Sequence, residues 1–290
     1  MRNILVTGGT GTWGQEIVRQ LLKRRATKQV VVYSRAERSQ EYMKRMVKDK
    51  RVKYILGDIL DYDKLDRSLE GIDTVFHCAA IKVVPNMEKD CMYGFNINVW
   101  GTHNVIQASI DNSVRRFMYV STDKAVAPIN AYGVSKQAAE HIIEQAARDN
   151  PKMNIKIVRS GNVIGSSGSV LQIWEESLSK NNTLRITVPE MTRFYIRIED
   201  AVAGLFEAFK RETLIQANLS KYATLDMLAQ VAVKLWGNNY SKVFTIGNRG
   251  NEKLHEQILS VFDAGVDIFS NSTQEYEIEE LTEIIKNEGV

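Results

Sequence analysis

The stretch that most constrains this chain is Asn3-Ile-Leu-Val-Thr-Gly-Gly-Thr-Gly-Thr-Trp-Gly14, where an apolar run ends in a glycine loop and an amphipathic segment, Gln15 to Lys23, follows. The order predicts strand, phosphate loop and helix. Gly8, Gly11 and Gly14 stand three apart. One glycine lets the chain turn, one lets backbone approach a pyrophosphate, and one lets the helix pack closely on the strand. The helix dipole and free amides then face an anion. Gly8, Thr10, Gly11, Thr12, Trp13 and Gly14 are therefore candidate dinucleotide contacts. A turn that merely needs glycine is the alternative.

Apolar segments recur along the first half, at Gln29–Tyr33, Arg51–Gly57, Asp73–Ala80, Arg116–Ser121 and Ile155–Arg159, each but the last followed by a helical pattern. Five strand–helix units in series predict an α/β fold, a doubly wound parallel Rossmann sheet. Phe95 to Ser109 reads as one long helix interrupted by Asn96 and Asn98, whereas Ile81–Asp90 reads as a loop. Beyond about residue 165 the rhythm changes. The second half reads as a smaller C-terminal substrate-binding lobe, with helices expected over Glu252–Val261 and Glu277–Lys286 and some return to the first domain. The expected division is 1–165 for the nicotinamide-binding domain and 166–290 for mainly the nucleotide-sugar lobe.

Ligands in such sheets lie off the carboxyl ends of the strands. At the end of the second strand, Ser34, Arg35 and Arg38 replace the acid that binds a free ribose 2'-hydroxyl. A guanidinium there suits a 2'-phosphate, so NADP is expected in preference to NAD, unless these arginines only face solvent. Asp58 and Ile59 end the third strand and suit an adenine; a helix-capping aspartate is the alternative. Ala79 and Ala80 leave room for a ligand beside the fourth strand. Lys82 suits cofactor or substrate, His77 the core, and Asn98 a neighbouring backbone or the cofactor.

Tyr132 and Lys136 stand four apart on one helix face. An ammonium beside the phenol lowers its pKa toward use as a base, and the same lysine can hold the nicotinamide ribose. Ser121 and Thr122, at the end of the fifth strand, suit hydrogen bonds to a substrate hydroxyl or carbonyl. Asp123 and Lys124 add an acid and a base that a plain alcohol oxidation does not need. With a ketone at one sugar carbon, such a pair could remove a neighbouring C–H proton and help a hydroxyl leave. Arg159, Asn162, Arg193 and Arg249 are candidate contacts for a nucleotide diphosphate.

Composition narrows the alternatives. The 290 residues are 25% charged and 44% apolar, with a net charge of +3, which fits neither a disordered chain nor a membrane protein. Residues 15–53 hold 13 Lys or Arg and 4 acids, and residues 251–290 hold 10 acids and 2 bases. The basic part lies where a cofactor phosphate would sit and lacks interleaved aromatics, so no nucleic-acid partner is expected. No run of 18 apolar residues and no signal peptide is read, which predicts no membrane insertion and a cytoplasmic protein. Two cysteines, Cys78 and Cys91, indicate no disulfide framework, and no metal-ligand spacing is present.

Taken together, Thr7–Gly14, Tyr33-Ser-Arg35, Gly57-Asp58, Ala79–Pro85, Asn98–Gly101, Ser121–Asn130, Tyr132–Lys136, Arg159–Gly165, Met191–Phe194 and Glu252–Glu256 resemble the extended short-chain dehydrogenase/reductases. Within them the resemblance is to C5-inverting UDP-N-acetylglucosamine 4,6-dehydratases of polysaccharide and protein glycosylation. The resemblance implies that Tyr132 deprotonates the sugar 4-hydroxyl as hydride leaves for NADP. It implies further that Lys124 takes the C5 proton, that Asp123 protonates the departing 6-hydroxyl, and that the chain assembles as a homo-oligomer, at least a dimer, acting on a UDP-sugar. The pattern departs in the second half, where Arg249-Gly-Asn-Glu-Lys253 replaces Arg-Pro-Gly-Glu-Lys. The related alternatives are a 4-epimerase, which needs only Tyr132 and the nicotinamide, or a dehydratase acting on another UDP-sugar. A non-catalytic nicotinamide-binding scaffold is the alternative of another class.

Overall fold

The computed structural model describes residues 1–288. Its first half runs β1 (Asn3–Thr7), α1 (Thr12–Leu22), β2 (Gln29–Ser34), α2 (Glu37–Met46), β3 (Val52–Leu56), α3 (Tyr62–Ser68) and β4 (Thr74–His77). It continues through α4 (Val84–Lys89), α5 (Cys91–Phe95), a π-helical turn (Asn96–Trp100), α6 (Gly101–Asp111), β5 (Arg116–Thr122), a 3-10 turn (Asp123–Ala125), α7 (Ala131–Asp149) and β6 (Asn154–Ser160). The second half holds β7 (Asn162–Val163), α8 (Val170–Asn181), β8 (Thr183–Ile186), β9 (Thr192–Ile196), α9 (Ile198–Ala208), β10 (Ile215–Asn218) and β11 (Tyr222–Thr224). It ends with α10 (Leu225–Trp236), β12 (Lys242–Thr245), β13 (Gln257–Leu259), α11 (Val261–Ala264), β14 (Ile268–Phe269) and α12 (Ile278–Asn287).

Seven strands form one sheet in the order β10-β6-β5-β4-β1-β2-β3, and every pairing in it is parallel. This is the expected doubly wound sheet, with a strand from the second half added at its edge. Both faces are apolar because side chains alternate along each strand. Ile4, Val6, Val30 and Val32 pack with Ile17, Val18 and Leu21 of α1 and with Val202, Leu205 and Phe206 of α9. Leu5, Val31, Val75 and Phe117 pack on the other side with Leu65 of α3, Val105 of α6 and Ile143 of α7. Thus α9 as well as β10 returns to the first sheet.

The smaller lobe has its own core, in which Leu171 and Trp174 of α8 meet Leu184, Tyr195, Leu228, Leu281 and Ile285. Three details differ from the sequence expectation. Val84–Lys89 is helical rather than a loop, with Pro85 in its first turn where the missing N–H costs nothing. The helix read over Phe95–Ser109 starts earlier, at Cys91, and the expected interruption at Asn96 and Asn98 takes the form of a π turn, Asn96–Trp100. Glu252–Val261 is not a helix. His255 forms a bridge with Thr192, and Gln257–Leu259 pairs with β14, so tertiary strand pairing overrides the helical pattern. Among the described residues, no helix is long and apolar enough to cross a membrane, and no cluster of His, Cys, Asp or Glu is arranged to hold a metal.

Candidate active site

A cleft opens at the carboxyl ends of β1 to β4. Gly8, Thr10, Gly11, Thr12, Trp13, Ser34, Arg35, Ile59, Ala79, Ala80 and Lys82 all line it. Gly8 has φ +64°, and a Cβ there would stand 2.8 Å from the amide nitrogen of Ala79. The loop therefore crosses the end of β4 at backbone contact distance, which only glycine allows. A Cβ at Gly14 would collide with Gly9 and the Gly8 carbonyl, so that glycine seats α1 against its own loop. Helix α1 begins at Gly11 with no side-chain cap. Its first amides are left for an anion. Ser167, from the second half, also lines the cleft, and its amide donates to Thr12 Oγ1 at 3.3 Å. Nothing in the sequence near Ser167 signals this role.

Several predicted residues hold the walls of the cleft. Asn98 accepts from Ile81 N at 2.8 Å and donates to Ile81 O at 2.9 Å and to Ser135 Oγ at 2.9 Å. It clamps the loop after β4, from inside the π turn, and is buried. Ile59 packs on Gly101. Ser34 accepts from the Gln40 amide. Arg38 is exposed on α2. Arg35 does not stand free: its Nη1 donates to Tyr93 at 3.0 Å and to Asp58 Oδ2 at 3.4 Å. Asp58 also accepts the amide of Leu60, while the cap of α3 is Asp61.

The chemistry lies at the end of β5. Neighbours on a strand face opposite ways, so Ser121 and Thr122 part company. Ser121 donates to Glu140 at 2.5 Å on the far side. Thr122 donates to Asp123 Oδ1 at 2.9 Å. Lys124 Nζ donates to Asp123 Oδ1 at 3.0 Å and to Asn162 Oδ1 at 3.3 Å. Asn130 caps α7 by accepting from Gly133 N at 2.8 Å, which fixes the turn that carries Tyr132. The Tyr132 phenol is held above its ordinary value: burial raises it, the Lys124 charge offsets part of that rise, and the Asp123 carboxylate adds to it.

Lys124 is a cation whose charge opposes the effect of burial on Tyr132; Lys136, the partner expected from the sequence, stands four residues further along the same helix. Lys136 is buried, donates to Val120 O at 2.8 Å, and lies 4.0 Å from the centre of the Tyr119 ring. Burial lowers it to about 7 despite the opposing influence of Glu140 and Cys78. His77 is in the core as expected. It sits between Thr7 Oγ1 at 2.6 Å and Thr102 Oγ1 at 2.9 Å, and burial followed by Lys136 lowers it to about 3.

The candidate diphosphate contacts separate. Asn162 joins the Lys124 cluster. Arg193 is buried on β9, donating to Thr192 O at 2.8 Å, with its Nε 3.9 Å from Glu256 Oε1. Arg159 is held by Glu140 at 2.8 Å and Asp263 at 2.6 Å, a buried network that leaves its fork no partner to seek. Arg249 is exposed on the turn between Gly247 and Gly250.

The seven-stranded sheet, the glycine cleft and the Tyr132–Lys136 helix define the extended short-chain dehydrogenase/reductase class. A family model described as "Polysaccharide biosynthesis protein" matches residues 4–274, and the chain belongs to that family. A UDP-glucose 4-epimerase of Rickettsia felis is 35% identical over 266 residues, covering 89% of this chain and 78% of that one. Among solved structures, Pen from Bacillus thuringiensis superposes with TM-score 0.90 at 28% identity, covering 99% and 97% of the two chains. DesIV, a dTDP-glucose 4,6-dehydratase from Streptomyces venezuelae solved with NAD, gives TM-score 0.83 at 21% identity over 99% and 96%. A UDP-glucuronic acid 4-epimerase from Bacillus cereus, in complex with UDP-glucuronic acid and NAD, gives 0.79 at 21% over 98% and 99%.

Two expectations are corrected. The dTDP-glucose 4,6-dehydratase and UDP-glucuronic acid 4-epimerase neighbours were solved with NAD, not NADP, and the guanidinium assigned to a 2'-phosphate is shared between Asp58 and Tyr93. C5-inverting 4,6-dehydration of UDP-N-acetylglucosamine also gives way, because the curated relatives at 35% identity are UDP-glucose 4-epimerases. Burial opposes the charge on Lys124, but the carboxylates of Asp123 and Glu256 outweigh it and raise its pKa.

Proposed function

We propose that this protein is a nucleotide-sugar 4-epimerase that uses NAD and interconverts UDP-glucose and its C4 epimer. The observation that carries the reading is the Thr122–Asp123–Lys124 cluster at the end of β5, next in the chain to the helix that bears Tyr132 and Lys136, together with the glycine cleft at the ends of β1 to β4. The likeness to UDP-glucose 4-epimerases over 89% of the chain supports the substrate class.

The residues present fit a dinucleotide. The uncapped start of α1 and the Gly8–Ala79 crossing would hold the pyrophosphate, Arg35 and Asp58 the adenosine end, and Lys136 the nicotinamide ribose. When bound, NAD supplies a reversible hydride acceptor. Tyr132 takes the proton from the sugar C4 hydroxyl as that carbon is oxidised, and returns it when the carbon is reduced from the opposite face. Thr122 orients the phenol. Lys124 stabilises the phenolate, a role that general-base efficiency favours near the operating pH. Asp123 and Lys124 act as a charge pair, since epimerisation at C4 asks no proton of them. Arg193 and Asn162 would bind the sugar or its diphosphate.

Purified protein with NAD and UDP-glucose, followed by proton NMR, tests the reading. A second anomeric signal from the C4 epimer, with the 6-hydroxymethyl group retained, is expected. A new C6 methyl group, or no product, overturns it.

A further inference from the structure

Glu256 is a buried carboxylate, 4% exposed, delivered to the site from the segment preceding β13. Its amide donates to Ser270 Oγ at 3.1 Å and its carbonyl accepts from Ser270 N at 2.8 Å, so its backbone is pinned on both sides. The carboxylate faces three cations from three parts of the chain. Oε1 lies 3.7 Å from Lys124 Nζ and 3.9 Å from Arg193 Nε, and Oε2 lies 3.5 Å from Lys253 Nζ. Lys253 is itself anchored on Val126 O at 2.6 Å, just past the Asp123–Ala125 turn. Oε2 of Glu256 and Oδ2 of Asp123 are buried without a hydrogen-bond partner. These distances provide attraction without a tight bond, which suits a group that sets charge rather than one that only cross-links.

We infer that Glu256 is a positioning residue, the second counter-ion that keeps Lys124 charged and in place beside Asp123. The inference deepens the reading of Tyr132 as the base. Asp123, Glu256, Arg193, Asn162, Tyr132 and Tyr195 face Lys124 from the surrounding elements. Asp123 alone would share the lysine with the repulsion of Arg193. With Glu256 added, three cations (Lys124, Arg193, Lys253) stand against two carboxylates. One positive charge is left over beside the phenol, which matches a phenolate. The C-terminal half thereby completes the electrostatics of a site whose reacting side chains all lie in the first half.

Competitive acetylation at pH 8 with peptide-resolved mass spectrometry tests this on the intact protein, since acetic anhydride attacks only the neutral amine. Labelling of Lys124 is compared with exposed Lys210, and buried Lys136 reports on folding. In E256Q, Lys124 labelling is expected to rise about tenfold, the effect of one pKa unit, with Lys136 unchanged. In E256D, which keeps the charge, it should return toward the wild-type level. Lys124 labelling in E256Q within twofold of wild type overturns the proposal, as does a rise shared by Lys136. A wild-type protein that converts no UDP-hexose, with the Lys124 response present, sinks the epimerase reading and keeps the role of Glu256. Turnover without that response does the reverse.

Discussion

Lys136 donates to the carbonyl oxygen of Val120 at 2.8 Å, which ties the residue one helical turn beyond Tyr132 to the strand that carries Ser121 and Thr122. The Lys124 charge, on the turn after that strand, works against the rise that burial imposes on Tyr132. The helix supplies the base, and the end of β5 supplies its electrostatic partner.

Replacing Tyr132 with Phe removes the only proton acceptor assigned to the C4 hydroxyl. Turnover of UDP-glucose should fall about 10²–10⁴-fold, the usual contribution of a general base. NAD affinity should stay within a few fold, because the glycine cleft is untouched. Progress curves by NMR and NAD titration by calorimetry measure the two separately. Equal losses in both would mean that Tyr132 holds the fold or the cofactor instead.

Cofactor choice turns on Asp58 and Arg35. In Asp58→Asn the guanidinium loses its carboxylate partner and becomes available to a 2'-phosphate. The ratio of NADP to NAD affinity should rise about fivefold, the upper range for an exposed ion pair. An unchanged ratio would show that Asp58 plays no part in discrimination.

Arg159 is expected to hold structure. Arg159→Met leaves Glu140 and Asp263 without their cation in a buried setting. A loss of about 3–5 kcal/mol of stability follows from breaking such a pair from one side. Chemical denaturation measures it. Should the variant keep full stability yet show a much raised KM for UDP-glucose, Arg159 would instead be a substrate contact.

His77 gives a pH dependence of defined sign. Its folded pKa, about 3, lies below the ordinary 6.5, so the unfolded chain binds more protons between those values. Its contribution is fully present above about pH 6.5 and is lost as pH falls toward 3, by at most about 1.4 kcal/mol per pH unit. His77→Gln keeps a polar side chain between Thr7 and Thr102 and should flatten this acid limb in a series of denaturation curves. A limb of unchanged slope would assign the acid sensitivity to other groups.

The parts of the site legible in the sequence are those made by neighbours in the chain. The Gly8–Gly14 loop follows its own strand and starts its own helix, so local spacing is enough. Tyr132 and Lys136 share a helix, and Thr122, Asp123 and Lys124 are consecutive. Contacts made across the fold left no such trace. Arg159 reads as a free arginine until Glu140, 19 residues away, and Asp263, 104 residues away, are seen to close on it. Arg35 reads as a phosphate ligand until Asp58 and Tyr93 appear beside it. Glu256 lies in a segment with helical periodicity, and only pairing with β14 and the bridge to Thr192 place it against Lys124. The role of Ser167 likewise depends on the second half folding back over Thr12.

The most direct test of the central claim is the conversion of UDP-glucose by the purified protein supplied with NAD in heavy water. The account predicts an approach to equilibrium with the C4 epimer, no deuterium at C5 and no net change in the cofactor. Deuterium at C5 accompanied by a C6 methyl group would contradict it, because epimerisation at C4 leaves C5 and C6 untouched.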